Sequence, residues 1–257
     1  MLPNNLHCNT FHLQLSTLQT FNFTNFQLYN FTIFAQNKTT IMITIKRFVF
    51  NPFQVNTYVL SDETGECVII DPGMQGDAEE AKISDYISSN NLKPVILLLT
   101  HAHIDHIVGN SFIAEKYNLK LTAHKDCVPF LVGAESYAAS FGLTLEKVKT
   151  IDNFIDEDTP VKFGNSELKV LFTPGHADGS LCFYSPEDKF VITGDVLFNQ
   201  SIGRTDLKTG NYDLLQKNIW DKLFTLPNDT VVYPGHGPET GIGYEKLHNP
   251  FVAIGKE

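Results

Sequence analysis

From residue 43 onward the apolar positions of the chain fall into two textures. Short β-branched and aliphatic runs at residues 43–50, 57–60, 68–70, 95–99, 168–172, 190–192 and 231–233 read as strands, because apolar runs this short are bounded by polar or glycine-containing stretches. Between them lie segments with helical spacing. Asp77, followed three residues later by Glu80, forms a capping box ahead of Ile83, Tyr86 and Ile87. Residues 110–117 and 211–224 also read as helices, the second with Leu215, Ile219 and Leu223 on one buried face. Strands interleaved with helices define the α/β class.

Residues 1–41 break this pattern. They are crowded with Asn, Thr, Gln and Phe, follow no helical period, and contain none of the acidic residues, the first of which is Asp62. The opening Met1-Leu2-Pro3-Asn4-Asn5 lacks the basic start of a secretory signal. Residues 1–41 are therefore expected to be an extension outside the fold, and residues 42–257 the domain, with Met42 as the native start. The Asn-x-Thr triplets at Asn22, Asn30 and Asn37 are expected by chance in such a tract.

Composition narrows the function. The 257 residues are 42% hydrophobic, enough for one sizeable core. A net charge of -10 repels nucleic acid and anionic membranes, so neither is an expected partner, although bound cations would still admit an anionic small molecule. Cys8, Cys67, Cys127 and Cys182 are scattered, without a C-x-x-C pair, as expected of free thiols in a reducing, cytoplasmic setting. No apolar run approaches the ~18 residues of a spanning helix.

The candidate chemistry follows the strand at residues 95–99. There Thr100-His101-Ala102-His103-Ile104-Asp105-His106 places four ligand-type residues within six positions. In an extended segment His101 and His103 point the same way and grip one ion together. Asp105 and His106, just ahead of a helix expected to begin near Ile107, face a second. His176, Asp195 and His236 recur in the same setting, each preceded by a glycine just past an apolar strand. A lone His or Asp at a strand end is usually a structural hydrogen-bonding residue. Seven such residues in a repeated setting point instead to two divalent metal ions, zinc by choice of ligands, with iron or manganese as the alternatives. His7, His12, His124 and His248 lack such company.

These motifs, Thr-His-x-His-x-Asp-His, Thr173-Pro174-Gly175-His176, Thr193-Gly194-Asp195 and Tyr233-Pro234-Gly235-His236-Gly237, resemble in content and order those of the metallo-β-lactamase superfamily, and within it the compact bacterial type II glyoxalases. The resemblance spans residue 42 to the end. It implies a four-layer αβ/βα sandwich with its site on one edge. It also implies that His101, His103 and His176 hold the first metal, that Asp105, His106 and His236 hold the second, and that Asp195 bridges them. Asp71, in Ile69-Ile70-Asp71-Pro72-Gly73, is expected to orient a ligand, and Arg204, in Gly203-Arg204-Thr205-Asp206, to contact a thiol carboxylate of the substrate. A structural Arg204–Asp206 pair is the plainer alternative. Gly237-Pro238 stands where longer glyoxalase II-like members place a tyrosine.

Two adjacent cations lower the pKa of a shared water and polarise a carbonyl oxygen, with Asp105 orienting the water or accepting its proton. A thioester suits such a site, because its thiolate leaves without a dedicated acid. The expected activity is therefore hydrolysis of a small-molecule thioester such as a hydroxyacylglutathione. The nearest rival is a persulfide dioxygenase of the same superfamily, which binds one iron and typically carries Tyr-Pro-Ala-His in place of Tyr233-Pro234-Gly235-His236. A lactamase, a lactonase or a nuclease fits less well, and a fold that had lost its chemistry would have lost ligands. The expectation for the start of the chain is checked by intact-mass measurement of the protein from its natural source: a chain beginning at Met42 supports it, and one beginning at Met1 overturns it.

Overall fold

A computed structural model describes residues 42–145 and 147–254 of the chain. The expected extension, with His7, His12 and Cys8, lies outside the described residues. Strands β1 (Thr44–Phe50), β2 (Val55–Ser61) and β3 (Glu66–Ile70) form an antiparallel meander. After helix α1 (Asp77–Ser89) the chain re-enters the sheet as β4 (Lys93–Leu98), parallel to β3. Helices α2 (Ile104–Ile107) and α3 (Asn110–Tyr117) then lead to β5 (Leu121–Ala123), and α4 (Val128–Leu131) and α5 (Ala134–Ser140) to β6 (Asn153–Phe154). These six strands make one sheet in sequence order.

The second sheet begins with β7 (Val161–Phe163), β8 (Ser166–Phe172), β9 (Leu181–Ser185) and β10 (Phe190–Gly194), successive antiparallel neighbours. A small hairpin, β11 (Leu197–Phe198) and β12 (Ser201–Ile202), follows. Next comes α6 (Tyr212–Asn218), which continues as a π turn over Ile219–Leu223. β13 (Val231–Pro234) then pairs parallel to β10, and β14 (Thr240–Gly241) and α7 (Ile242–His248) close the described fold. The strand order is β14-β13-β10-β9-β8-β7.

Side-chain alternation along the strands sorts the core into three clusters and hence the molecule into four layers. In β3, Cys67 and Ile69 face Ile83 and Ile87 of α1 and Ile113 of α3, while Val68 and Ile70 face the opposite way. There they meet Leu168 and Val170 of β8 and Phe183 of β9 between the sheets. In turn Cys182, Tyr184 and Val191 face outward onto Leu215, Ile219 and Leu223, the helical face read from the sequence. The order is helix, sheet, sheet, helix, as the αβ/βα expectation requires. Cys67, Cys127 and Cys182 are free and buried, and burial pushes each thiol up to about 12. Among the described residues no helix is long and apolar enough to cross a membrane.

Two local expectations are corrected. The capping box is not formed: Gly76, at φ 76°, caps α1, and Asp77 is its first residue. Glu79 instead turns back to accept the backbone N–H groups of Gln75 and Asn51, at 2.8 and 3.1 Å. The helix expected near Ile107 begins earlier, at Ile104, with His103 as its extended N-cap, so Asp105 and His106 are helical.

The far ends of the sheets are clipped together by a carboxylate. Asp62, in the β2–β3 turn, accepts from Thr64 N–H and Oγ1 at 3.0 and 2.5 Å, and from Asn165 N–H and Ser166 Oγ in the β7–β8 hairpin at 2.7 and 3.0 Å. Burial favours the neutral acid, but these donors outweigh it and hold the Asp62 carboxyl below its ordinary value. Such a group contributes stability above its unfolded pKa of about 4, which is lost as pH falls through the lower folded value. Asp62→Ala is therefore expected to cost about 2–4 kcal/mol at pH 7 in urea denaturation, with the deficit shrinking below about pH 4. A deficit independent of pH would show that the charge contributes nothing.

Candidate metal centre

Five strand ends converge on one edge of the sandwich. β3 and β4 run parallel, as do β10 and β13, and β8 shares the direction of β10 because both are antiparallel to β9. Their C-terminal ends deliver Asp71, the His101–His106 segment, His176, Asp195 and His236 respectively. The sheets are stitched together along this edge: Leu181 N–H donates to Thr100 O at 2.8 Å, Asn56 N–H to Gly235 O at 2.7 Å, and Tyr58 Oη to Pro234 O at 2.7 Å.

The structure brings together all seven expected metal-ligating residues. Within each of two triads the donor atoms lie within 4.8 Å of one another: His101, His103 and His176 in one, Asp105, His106 and His236 in the other. Asp195 lies between them. Its Oδ2 is 3.5 Å from His176 Nε2 and 3.6 Å from His236 Nε2, and its Oδ1 is 3.4 Å from His106 Nε2. His101 Nε2 and His103 Nδ1 are 3.2 Å apart, as their same-side placement requires. His124 is buried elsewhere, stacked 4.4 Å from Phe172 with its Nδ1 accepting from Asp126 N–H, and His248 rests against Tyr244.

Glycine is required where these ends crowd. A Cβ on Gly235 would come within 2.1 Å of Asp195 Oδ1, and one on Gly175, at φ 134°, within 2.4 Å of the Leu215 backbone N. Both Cβ positions fall far inside van der Waals contact.

A surrounding shell fixes which imidazole nitrogens face inward. His106 Nδ1 meets Asp71 Oδ2 at 2.9 Å, His176 Nδ1 meets the Arg204 carbonyl at 2.8 Å, and His236 Nδ1 meets the Phe53 carbonyl at 3.0 Å. His101 Nδ1 lies 3.1 Å from Thr100 Oγ1, which donates to Asp71 Oδ2 at 2.6 Å. Each of these contacts turns Nε2 toward the centre. Asn51 adds a further clamp that the sequence analysis does not identify: its Nδ2 donates to the Asp105 and Gly73 carbonyls at 3.0 and 2.9 Å, and its Oδ1 accepts from Phe53 N–H at 2.9 Å. The carbonyls of Phe53 and Arg204 leave no trace in residue identity, so only the turn-forming Asn51-Pro52 hints at this shell.

Burial and neighbouring imidazoles hold His101 well below its ordinary pKa and push His103 down to about 4, leaving neutral lone pairs. Burial raises the Asp195 carboxyl, but His106 and the other imidazoles outweigh this and hold it well below the ordinary carboxylate range. His106 Nε2 and Asp195 Oδ1 are both buried without a hydrogen-bond partner. Burial lowers His106, but the carboxylates of Asp105, Asp195 and Asp71 outweigh it and hold the imidazole well above its ordinary value. Without metal it therefore carries a proton, whose place a divalent cation facing these two atoms would take. The donor set fits divalent metal ions.

A profile of the Metallo-beta-lactamase superfamily matches residues 50–236. The chain belongs to the metallo-β-lactamase superfamily. Members bind divalent metals, and the seven converging donors lie within the matched segment or at its end. The chain is 39% identical to a probable metallo-hydrolase, YqgX, of Bacillus subtilis (strain 168), covering 80% of this chain and 96% of that one. It is 34% identical to the hydroxyacylglutathione hydrolase GloC of Haemophilus influenzae, covering 78% and 93%. Among solved structures it is similar to the BLEG-1 B3 metallo-beta-lactamase, with TM-score 0.74, 34% identity and coverage of 81% and 99%. It is also similar to TTHA1623 in a di-iron-bound form, with TM-score 0.72, 34% identity and coverage of 80% and 99%. ETHE1 from Myxococcus xanthus is more distant, at TM-score 0.67, 27% identity and coverage of 82% and 84%.

Arg204 lies beside the centre, but its guanidinium is turned to Asp206. Nε and Nη2 donate to the two carboxylate oxygens at 3.0 and 2.8 Å, and the pair is exposed.

Asp71→Asn, which keeps the side-chain shape and removes the charge opposite His106, is expected to weaken metal affinity about 10- to 100-fold with the circular-dichroism spectrum preserved. Competition with a chromogenic chelator measures it, and unchanged affinity would remove Asp71 from the metal centre.

Proposed function

We propose that the protein hydrolyses small-molecule thioesters, S-D-lactoylglutathione among them, using two divalent metal ions. In this reading His101, His103 and His176 would hold one cation and Asp105, His106 and His236 the other, with Asp195 shared between them. The observation that carries it is the pair of donor triads sharing Asp195. The second triad also favours a two-metal hydrolase over the single-iron dioxygenase alternative, and the similarity to GloC supports the thioester class. Zinc is the proposed metal, with iron or manganese as alternatives.

Bound in this way, the cations would supply Lewis acidity toward a water and a carbonyl oxygen. The chain supplies the rest. Asp105 lines the cavity with Oδ2 facing His106 and His236, at 3.6 and 3.1 Å, which would leave its other carboxylate oxygen to orient a water and accept its proton. Burial disfavours its charged form, but His106 and His236 outweigh that and keep it ionised. A departing thiolate, with a pKa near 8.5, needs no protein acid. Apolar walls of the cavity, including Phe53, Phe141 and Phe198, limit bulk water around the reacting group.

The test is to count zinc, iron and manganese per purified chain and to assay S-D-lactoylglutathione, a simple acyl thioester and a chromogenic cephalosporin before and after chelation. About two metals per chain, with thioester hydrolysis abolished by chelation and restored by metal, is the expected result. One tightly bound iron with oxygen consumption on glutathione persulfide would overturn it, as would cephalosporin turnover without thioester turnover.

A further inference from the structure

The cavity over the metal centre has a volume of about 530 Å³, and its upper walls are mostly apolar. On one side Phe53, from the β1–β2 turn, meets Phe141, just past α5, edge to face at 6.3 Å, and Phe141 meets Tyr137 at 5.0 Å. On the other side stand Phe198, Ile202 and Leu207. The three rings of the first wall are 40–52% exposed, although they come from segments more than eighty residues apart and form one surface. Phe53 is fixed in place, because its carbonyl holds His236 and its N–H is held by Asn51. Among the described residues of this lining Arg204 is the one Lys or Arg, and Asp206 already engages its fork.

Half-exposed aromatic rings gathered around a reaction centre gain free energy when an apolar group covers them. Among the side chains lining the cavity, the one cation open to a carrier carboxylate is that of Arg204, which Asp206 already holds. We propose that this cup is a subsite for an apolar, uncharged arm of the substrate, an aryl or alkyl group attached through the thioester. The proposal rests on the hydrolase reading above and narrows it. S-D-lactoylglutathione, with its polar acyl group and charged carrier, would be turned over as a poor substrate of a site suited to apolar thioesters.

Two measurements test the proposal separately from the chemistry. The first compares kcat/KM of the metal-loaded full chain for the S-phenylacetyl and S-acetyl thioesters of N-acetylcysteamine and for S-D-lactoylglutathione. The phenylacetyl thioester is expected to exceed each of the others by roughly tenfold or more, the scale of burying one ring. Phe141→Ala and Phe53→Ala are each expected to contract the phenylacetyl-to-acetyl ratio below about threefold. The second is calorimetric titration of the metal-free chain with the non-hydrolysable 2-phenylethyl and methyl thioethers of N-acetylcysteamine. The aryl compound is expected to bind with a negative heat-capacity change, and the methyl compound at least about tenfold more weakly. A preference for S-D-lactoylglutathione, or a ratio unmoved by both variants, overturns the proposal while leaving the hydrolase reading intact. Aryl thioether binding without hydrolysis of any thioester supports the subsite and defeats the hydrolase reading.

Discussion

The buried carboxylate of Asp71 is the constraint on which the active edge depends. It is 1% exposed, and an ionised group so placed is tolerated only when its oxygens are fully used. Here Oδ1 accepts Thr100 N–H at 2.7 Å, while Oδ2 takes Thr100 Oγ1 at 2.6 Å and His106 Nδ1 at 2.9 Å. One side chain at the end of β3 thereby fixes the exit of β4, the rotamer of Thr100 and the orientation of an imidazole. The backbone at Asp71 is left-handed, at φ 50°, a conformation that costs of order 1 kcal/mol or more outside glycine. Thr57 Oγ1 donates to its carbonyl at 2.7 Å and helps to hold it there. Strain and buried charge at one residue are thus balanced by a network that also orders the metal centre.

Much of this was legible in the sequence, for identifiable reasons. The strands that form the middle of the two sheets show as aliphatic runs, and the helical face of Leu215, Ile219 and Leu223 shows as a four-residue period. The ligands stand out because four crowd into residues 101–106 after one strand and three more each follow a glycine at the end of another. β5 escaped notice because three residues carry no period, and β9 because Leu181–Ser185 is buried on both faces and so shows no alternation. The start of α1 departs from the capping-box pattern because Gly76 caps it and Glu79 reaches back to Gln75 and to Asn51 in the β1–β2 turn. Asn51 and the aromatic wall were invisible for the same reason: their partners lie far away along the chain.

The side of the centre that meets substrate differs from the side that holds metal. The inward-facing donors are buried or partly buried and braced by hydrogen bonds, whereas the aromatic rings beside them are half exposed and braced mainly by one another. Arg204 belongs to both sides: its carbonyl orients His176 while its guanidinium lies outside, paired with Asp206.

The ties between β2 and the loop after β13 have a consequence for how the chain reaches this state. Asn56 Nδ2 reaches Pro234 O across 178 residues of sequence, and His236 forms an isolated bridge with Val55. Closing a loop of that length carries a large entropic penalty that local contacts cannot offset in advance. The second donor triad is complete only once the segment after β13 has docked on β2. A nascent chain whose β13 has yet to leave the ribosome already has His101, His103 and His176, but it still lacks His236.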